Sequence, residues 1–93
     1  MTSGFIRVKL FMTLKLDVPV SVAFISNPKT HSIGPFNIHW DNRDYKVTKI
    51  GLHHHYYSGR TLFHVFSVVC DNTFFRLSLN TDNLLWRLEE IDE

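Results

Sequence analysis

Three consecutive histidines followed by two tyrosines are the side chains of this sequence best suited to chemistry. They lie in residues 51–59, GLHHHYYSG, near the middle of a chain of 93 residues. In an extended segment His53 and His55 project to one side about 6.5–7 Å apart, so both can reach one metal ion. A zinc site needs three or four ligands, and the remaining candidates are scattered along the chain: His31, His39, His64, Cys70 and Asp71. We therefore predict no dedicated metal site and no cofactor, with histidine-mediated metal binding as a minor alternative.

The sequence lacks the combinations of residues that nucleophilic catalysis usually requires. Cys70 and His64 are six positions apart, which on one straight strand separates them by about 20 Å, too far for a nucleophile and its base. The sequence contains neither a G-x-S-x-G segment nor a glycine-rich phosphate loop. We predict no enzymatic activity, and we expect the Cys70 thiol to be buried and unreactive.

Aromatic rings beside cations favour a binding function. Of five consecutive rings in a strand, at least two or three must face solvent or a partner, and exposed Tyr and His suit recognition. The predicted contact residues combine the histidine–tyrosine run with cations on either side of it: His53, His54, His55, Tyr56, Tyr57, Arg60, Arg43, Lys46 and Lys49. We favour a small binding or protein-interaction module with an unidentified protein partner, or a homodimer formed through an edge strand. The alternative is binding of single-stranded nucleic acid, which small open barrels achieve by stacking bases on exposed rings in a basic groove.

Composition and length predict one folded domain over residues 1–93. The chain is 44% apolar and 20% charged, with a net charge of +1, which is typical of globular proteins and unlike disordered chains. Its one cysteine excludes an internal disulfide framework, and no apolar run approaches the roughly 18 residues of a membrane span. We therefore expect a cytoplasmic protein without a membrane segment.

Period-two alternation dominates the sequence. Segments such as FNIHW (residues 36–40) and TFFRLSLN (residues 73–80) alternate in polarity, and turn residues follow at Asp41-Asn42, Asp71-Asn72 and residues 80–83. Strands are expected over most of residues 36–50 and 61–91. The predicted fold is an all-β, antiparallel meander of six or seven strands forming a small barrel or sandwich.

We make more specific secondary-structure predictions for several segments. Residues 30–35 are predicted to be a loop, and residues 51–59 a strand–loop connection bounded by glycines. Residues 84–91, LLWRLEEI, also fit a helical face, but we favour a strand with Leu84, Trp86 and Leu88 pointing inward. Residues 1–11 are either an extra edge strand or an upstream extension, with Met1 and Met12 as alternative starts.

Two hairpin patterns carry a resemblance to a known family. The strand W-x-x-R-x-Y-x-V and the closing hairpin F-x-L…W-x-L are represented here by Trp40, Arg43, Tyr45, Val47, Phe75, Leu77, Trp86 and Leu88. Over residues 36–91 the chain resembles a family of small, uncharacterised bacterial all-β proteins. The resemblance implies an all-β fold, and it implies a link to DNA repair because some members are encoded near DNA-damage polymerases. It implies no catalytic residues.

The large apolar residues are expected to fill the core. Leu77 and Trp86 are predicted to be buried, together with the other Trp and most of the Phe side chains: Trp40, Phe11, Phe24, Phe36, Phe63, Phe66 and Phe75.

Overall fold

The structure, a computed structural model, describes residues 13–92. The described residues form seven strands: β1 (Thr13–Asn27), β2 (Ser32–Trp40), β3 (Arg43–Lys46), β4 (Lys49–Ser58), β5 (Thr61–Cys70), β6 (Thr73–Asn80) and β7 (Leu85–Asp92). All neighbouring strands are antiparallel, in the order β3-β2-β1-β7-β6-β5-β4. The predicted all-β meander is confirmed, and the sheet curls into a half-barrel. Residues 13–92 contain no helix that could span a membrane.

The long strand β1 joins two parts of the sheet. Its first half, residues 13–20, pairs with β7, whereas its second half, residues 21–27, pairs with β2. The pairing shifts at Asp17, which has a φ of +51°. Arg87 Nε donates a hydrogen bond to Asp17 Oδ1 at 2.6 Å, and Arg87 Nη2 donates to the Asp17 carbonyl oxygen. A bulge of this kind bends the strand, so β1 can change partners without breaking.

The segment formed by β3 and β4 also changes its partner strand, as β1 does. Val47 N donates to the Phe36 carbonyl oxygen of β2 at 3.1 Å, and Thr48 N donates to the Val69 carbonyl oxygen of β5 at 2.8 Å. The two strands at opposite ends of the sheet order are therefore one nearly continuous run that changes neighbours at residues 47–48. This change brings the ends of the sheet together on one side.

The core lies inside the curl. It is formed by buried residues of the strands β2, β5, β6 and β7: Ile38, Phe66, Val68, Cys70, Phe75, Leu77, Leu88 and Ile91. Directly paired residues of antiparallel strands share a face, and Phe66 pairs with Leu77, which pairs with Leu88. One row of apolar side chains therefore crosses three neighbouring strands.

Several details of the sequence prediction are wrong. Residues 32–35 belong to β2, and residues 51–58 belong to β4, because the sheet supplies backbone partners that local sequence does not reveal. Leu84 does not point inward: it lies in the turn before β7 with a φ of +62°, and its side chain is 69% exposed.

Among the aromatic residues, Phe66 and Phe75 are buried as predicted, whereas Phe24 and Phe36 are exposed. The burial of Leu77 is confirmed, and Trp86 is half-buried. Residues 84–91 are strand apart from Leu84, and the turns at Asp41-Asn42 and Asp71-Asn72 are confirmed. The expectations for residues 1–11 lie outside the described residues.

We predict that Leu77→Ala lowers the free energy of unfolding by about 2–5 kcal/mol, because it leaves a cavity in a fully buried site. Leu85→Ala is the matched control, since Leu85 is 63% exposed and should change stability by no more than about 0.5 kcal/mol. Urea denaturation followed by tryptophan fluorescence measures both. Equal effects of the two substitutions would contradict the placement of Leu77 in the core.

Candidate interaction surface

Strand β4 carries the histidine–tyrosine run along one edge of the sheet. It pairs with β5 on one side only, and all ten of its residues are exposed. A strand in this position leaves a row of backbone N–H and C=O groups without strand partners. The predicted contact residues His53 to Tyr57 therefore lie on an exposed edge strand rather than in a connecting loop.

The hairpin between β4 and β5 determines which backbone groups face outward. Gly59, with a φ of +63°, and Arg60 form a two-residue turn flanked by Ser58 and Thr61, as in a type II′ hairpin. Residues flanking such a turn form a hydrogen-bonded pair, and the pairs then alternate along the ladder. Pairing is uninterrupted from Ser58 back to Leu52. The N–H and C=O groups of His53, His55 and Tyr57 therefore point away from β5.

Histidine side chains cluster on the concave face of the sheet. His53 Nε2 and His64 Nδ1 share a hydrogen bond of 2.9 Å, and the His55 ring centroid is 5.8 Å from that of His64. The His53 ring also stacks on Phe66, with centroids 4.2 Å apart and planes 2° from parallel. The sequence did not predict this involvement of His64, because its partner is 11 residues away across a strand pair.

The two tyrosines face opposite sides of β4. The Tyr56 ring stacks on Phe63 of β5 with centroids 5.2 Å apart, on the convex face. Tyr57 pairs with Leu62, and its side chain is 68% exposed. Tyr57 is therefore the tyrosine with more surface free to contact a partner.

The four predicted cations do not form one cluster. Arg43 and Lys46 lie on β3, and Lys49 follows at the start of β4 on the same nearly continuous run. The Arg43 guanidinium lies 5.2 Å from the Tyr45 ring centroid. Arg60 lies in the turn after β4. At about 3.3 Å per residue, Lys49 and Arg60 are more than about 30 Å apart along the strand. The basic groove expected for nucleic acid is not formed by these four side chains.

The two edges of the sheet differ in length and charge. The β3 edge has only four residues, RDYK, of which three are charged. In β4, the segment from Leu52 to Ser58 contains no Lys, Arg, Asp, Glu or Pro. Short length, charge and proline are the devices that keep an edge strand from pairing with another chain. Short length and charge are present on β3, whereas charge and proline are both absent from this segment of β4.

Exposed apolar side chains extend the surface along the gap between β2 and the start of β4. Ile25, Ile33, Phe36 and Ile50 line one groove there, and Leu52, which is 58% exposed, follows on β4. Gly34 lies beneath the Ile50 side chain, which occupies the space that a Cβ at residue 34 would need. Sequence reasoning placed Phe36 in the core and did not identify this groove, because its members come from three strands.

The environment of His53 lowers the pKa of its imidazole below the ordinary value of 6.5. Burial against neighbouring groups is the largest cause, and His64, His55 and His54 add repulsion between positive charges. The side chain as a whole is exposed, but stacking on Phe66 removes water from one face of the ring. Within residues 13–92, no group of three or more His, Cys, Asp or Glu side chains is arranged to hold a metal ion. The absence of a dedicated metal site stays a prediction.

Comparisons with protein-family models, with curated proteins and with solved structures found no match to this chain. The resemblance of residues 36–91 to small bacterial all-β proteins stays a prediction.

We predict that His53 titrates below pH 6.5 in the folded protein. The free energy of unfolding should therefore decrease as the pH is lowered below 6.5. Above pH 6.5 both states carry a neutral imidazole, so His53 makes no pH-dependent contribution. As the pH falls below 6.5 the unfolded chain takes up the proton first, so the free energy of unfolding decreases, levelling off below the folded pKa. NMR titration of the His53 ring and urea denaturation across this range measure both effects. His53→Gln should remove this part of the pH dependence, and an unchanged profile would contradict the assignment.

We predict that Cys70 reacts slowly with thiol reagents in the folded protein. Its side chain is buried, and burial, with a smaller effect from Asp71, raises the pKa of the thiol to about 11. The reactive thiolate is therefore rare at neutral pH. Labelling with a chromogenic disulfide reagent should be fast in urea and slow without it. Equal rates in the two conditions would show that Cys70 is accessible.

Proposed function

We propose that this protein is a non-enzymatic interaction module that binds an extended polypeptide segment along the free edge of β4. The observation that carries the proposal is the edge itself: ten exposed residues, paired on one side only, with no charged residue between Leu52 and Ser58. Strand addition at such an edge uses main-chain hydrogen bonds for affinity and alternate side chains for specificity.

The side chains of β4 supply the specificity. Tyr57 and His55 lie on the concave face beside Leu62 and His64, whereas Tyr56 lies on the convex face beside Phe63. A bound strand would place its own alternate side chains against these two rows. Aromatic and imidazole rings offer large contact areas with few rotatable bonds, so little side-chain entropy is lost when they are fixed.

The apolar groove next to the edge supports the same function. Ile33, Ile50 and Leu52 are exposed beside the start of β4, so a segment that runs along β4 reaches them at one end. Contact with these side chains would add apolar burial to the hydrogen bonds of the edge, at about 25 cal/mol for each Å² removed from water.

Binding of single-stranded nucleic acid is less well supported. Its support is the exposure of Tyr56 and Tyr57, on which bases could stack. The phosphate contacts that dominate such binding require clustered cations, and the four candidate cations are distributed between β3 and the two ends of β4. The link to DNA repair depends on this weaker alternative.

The proposal predicts that proline at residue 55 abolishes strand addition while the fold persists. The N–H of His55 points away from β5, so His55→Pro removes an outward donor and leaves the β4–β5 ladder intact. The probes are fluorescent synthetic peptides of alternating aromatic and polar residues. We expect His55→Pro to weaken their binding at least about fivefold, since one strand hydrogen bond contributes about 1 kcal/mol.

His55→Gln is the matched control, because it replaces the imidazole but keeps the N–H, and it should bind the peptides more tightly than His55→Pro. Tyr57→Pro blocks the next outward N–H and gives an independent test if His55→Pro does not fold. Fluorescence anisotropy measures binding, and circular dichroism checks the fold. Equal binding by the proline and glutamine variants would refute strand addition. Binding of labelled oligothymidine but of no peptide would favour the nucleic-acid alternative.

A further inference from the structure

We propose that the extended segment bound at β4 is the same strand of a second copy of this chain, aligned antiparallel and centred on His55. This inference depends on the proposed function, since it names the occupant of the same edge. It follows from three properties of β4: its charge distribution, its hydrogen-bond alternation and the length of its regular part.

The charge distribution of β4 suits pairing of its central part with a second copy. Lys49 lies at one end of the strand and Arg60 directly beyond the other, with no charged residue from Leu52 to Ser58. In the antiparallel pair centred on His55, Lys49 of one copy lies near Arg60 of the other at each end of the interface, where both side chains can reach solvent. The seven central residues of each strand contain no permanent charge.

The alternation of hydrogen bonds restricts the register. The outward backbone groups belong to His53, His55 and Tyr57, so in the dimer these residues must pair with one another. In the register centred on His55, His55 of one copy lies opposite His55 of the other. His53 of each copy lies opposite Tyr57 of the other copy. All three outward residues of each strand are then paired with outward residues of the other.

The length of the regular segment favours this centre over its neighbours. Pairing with β5 is uninterrupted from Leu52 to Ser58, and its register shifts between Ile50 and Leu52. His55 is the midpoint of Leu52–Ser58, so this register pairs all seven residues. A centre at His54 would place Gly51 opposite Tyr57, and a centre at His53 would place Gly51 opposite His55, so both extend the pairing into the irregular part of β4.

The side chains of the two copies are complementary in this register. On the convex face His54 lies opposite Tyr56 of the second copy, and on the concave face His53 lies opposite Tyr57. Aromatic cross-strand pairs of this kind stabilise sheets. The symmetric arrangement is self-complementary, as a two-fold interface requires, and it joins two half-barrels through one continuous sheet.

Acid should weaken the dimer. On the concave face His55 faces its own copy, with His53 and Tyr57 beside it on β4 and with His64 behind it on β5. No acidic side chain of β4 or β5 lies opposite these imidazoles within the regular part of the hairpin. Protonation of these imidazoles in acid places positive charges against one another across the interface.

Sedimentation equilibrium with EDTA present, which excludes metal bridging, tests the dimer. We expect a monomer–dimer equilibrium that weakens at least about tenfold in His55→Pro, because both hydrogen bonds of the central pair are lost. His55→Gln should still dimerise, and it should dissociate less in acid than the native chain. Tyr57→Pro is the second blocked variant.

A cysteine pair tests the register. His55→Cys places two thiols at directly opposed positions, where Cα atoms about 5.5 Å apart suit a disulfide. Tyr57→Cys is the matched control, since its two copies would be four residue positions apart, about 13 Å. Mild oxidation should give a covalent dimer of His55→Cys much faster than of Tyr57→Cys. Equal rates would overturn this register.

A native chain that is monomeric up to about 1 mM, or that dimerises equally well as His55→Pro, would overturn the proposal. Dimerisation that disappears in EDTA would do the same. Peptide binding, measured at protein concentrations below those of self-association, separates the two proposals. A monomer that still binds extended peptides refutes the second copy but retains the strand-addition function, whereas loss of both refutes the function.

Discussion

Two consecutive backbone amides connect the two ends of the sheet order and also create its exposed edge. Val47 N donates to β2 and Thr48 N donates to β5, so one extended run of chain belongs first to one end of the sheet and then to the other. The Thr48 hydroxyl donates to the same Val69 carbonyl oxygen at 3.0 Å, which reinforces the junction. Before residue 47 the run helps to close the sheet over Ile38 and Phe75. After residue 48 it leaves β2, and β4 retains a partner on one side only.

This arrangement explains why the two edges carry such different residues. The β3 edge is short and charged, so water and ions satisfy its backbone groups at little cost. The β4 edge is long, and five of the seven exposed residues from Leu52 to Ser58 are His or Tyr, whose rings carry only one or two polar atoms. Histidine and tyrosine keep such a strand soluble without permanent charge, and they can be covered by a partner without the large penalty of desolvating an ion.

The concave face gives the histidines a second property. Burial of the ring against Phe66 and repulsion from a protonated His64 lower the pKa of His53, so this imidazole takes up its proton only at a lower pH than an ordinary histidine. The imidazoles of His53 and His64 lie at the margin of the core, because Phe66, on which His53 stacks, also contacts Phe24 and Trp86. The Phe66 ring therefore connects the packing of the half-barrel with the protonation of His53 on the exposed edge.

The sequence by itself determined most of the strands, most turns and the burial of Leu77 and Cys70, since period-two alternation and Asp-Asn turns are local signals. It also identified His53 to Tyr57 as the most promising contact residues. Only the tertiary structure decided that these residues form an edge strand, that His64 joins His53, and that Arg43 and Arg60 lie far apart. The physical reason is that strand order and edge position depend on hydrogen bonds between distant segments. The extended conformation of residues 51–58 and the side of β4 that stays open both depend on backbone partners in β5 and β2, which local sequence does not reveal.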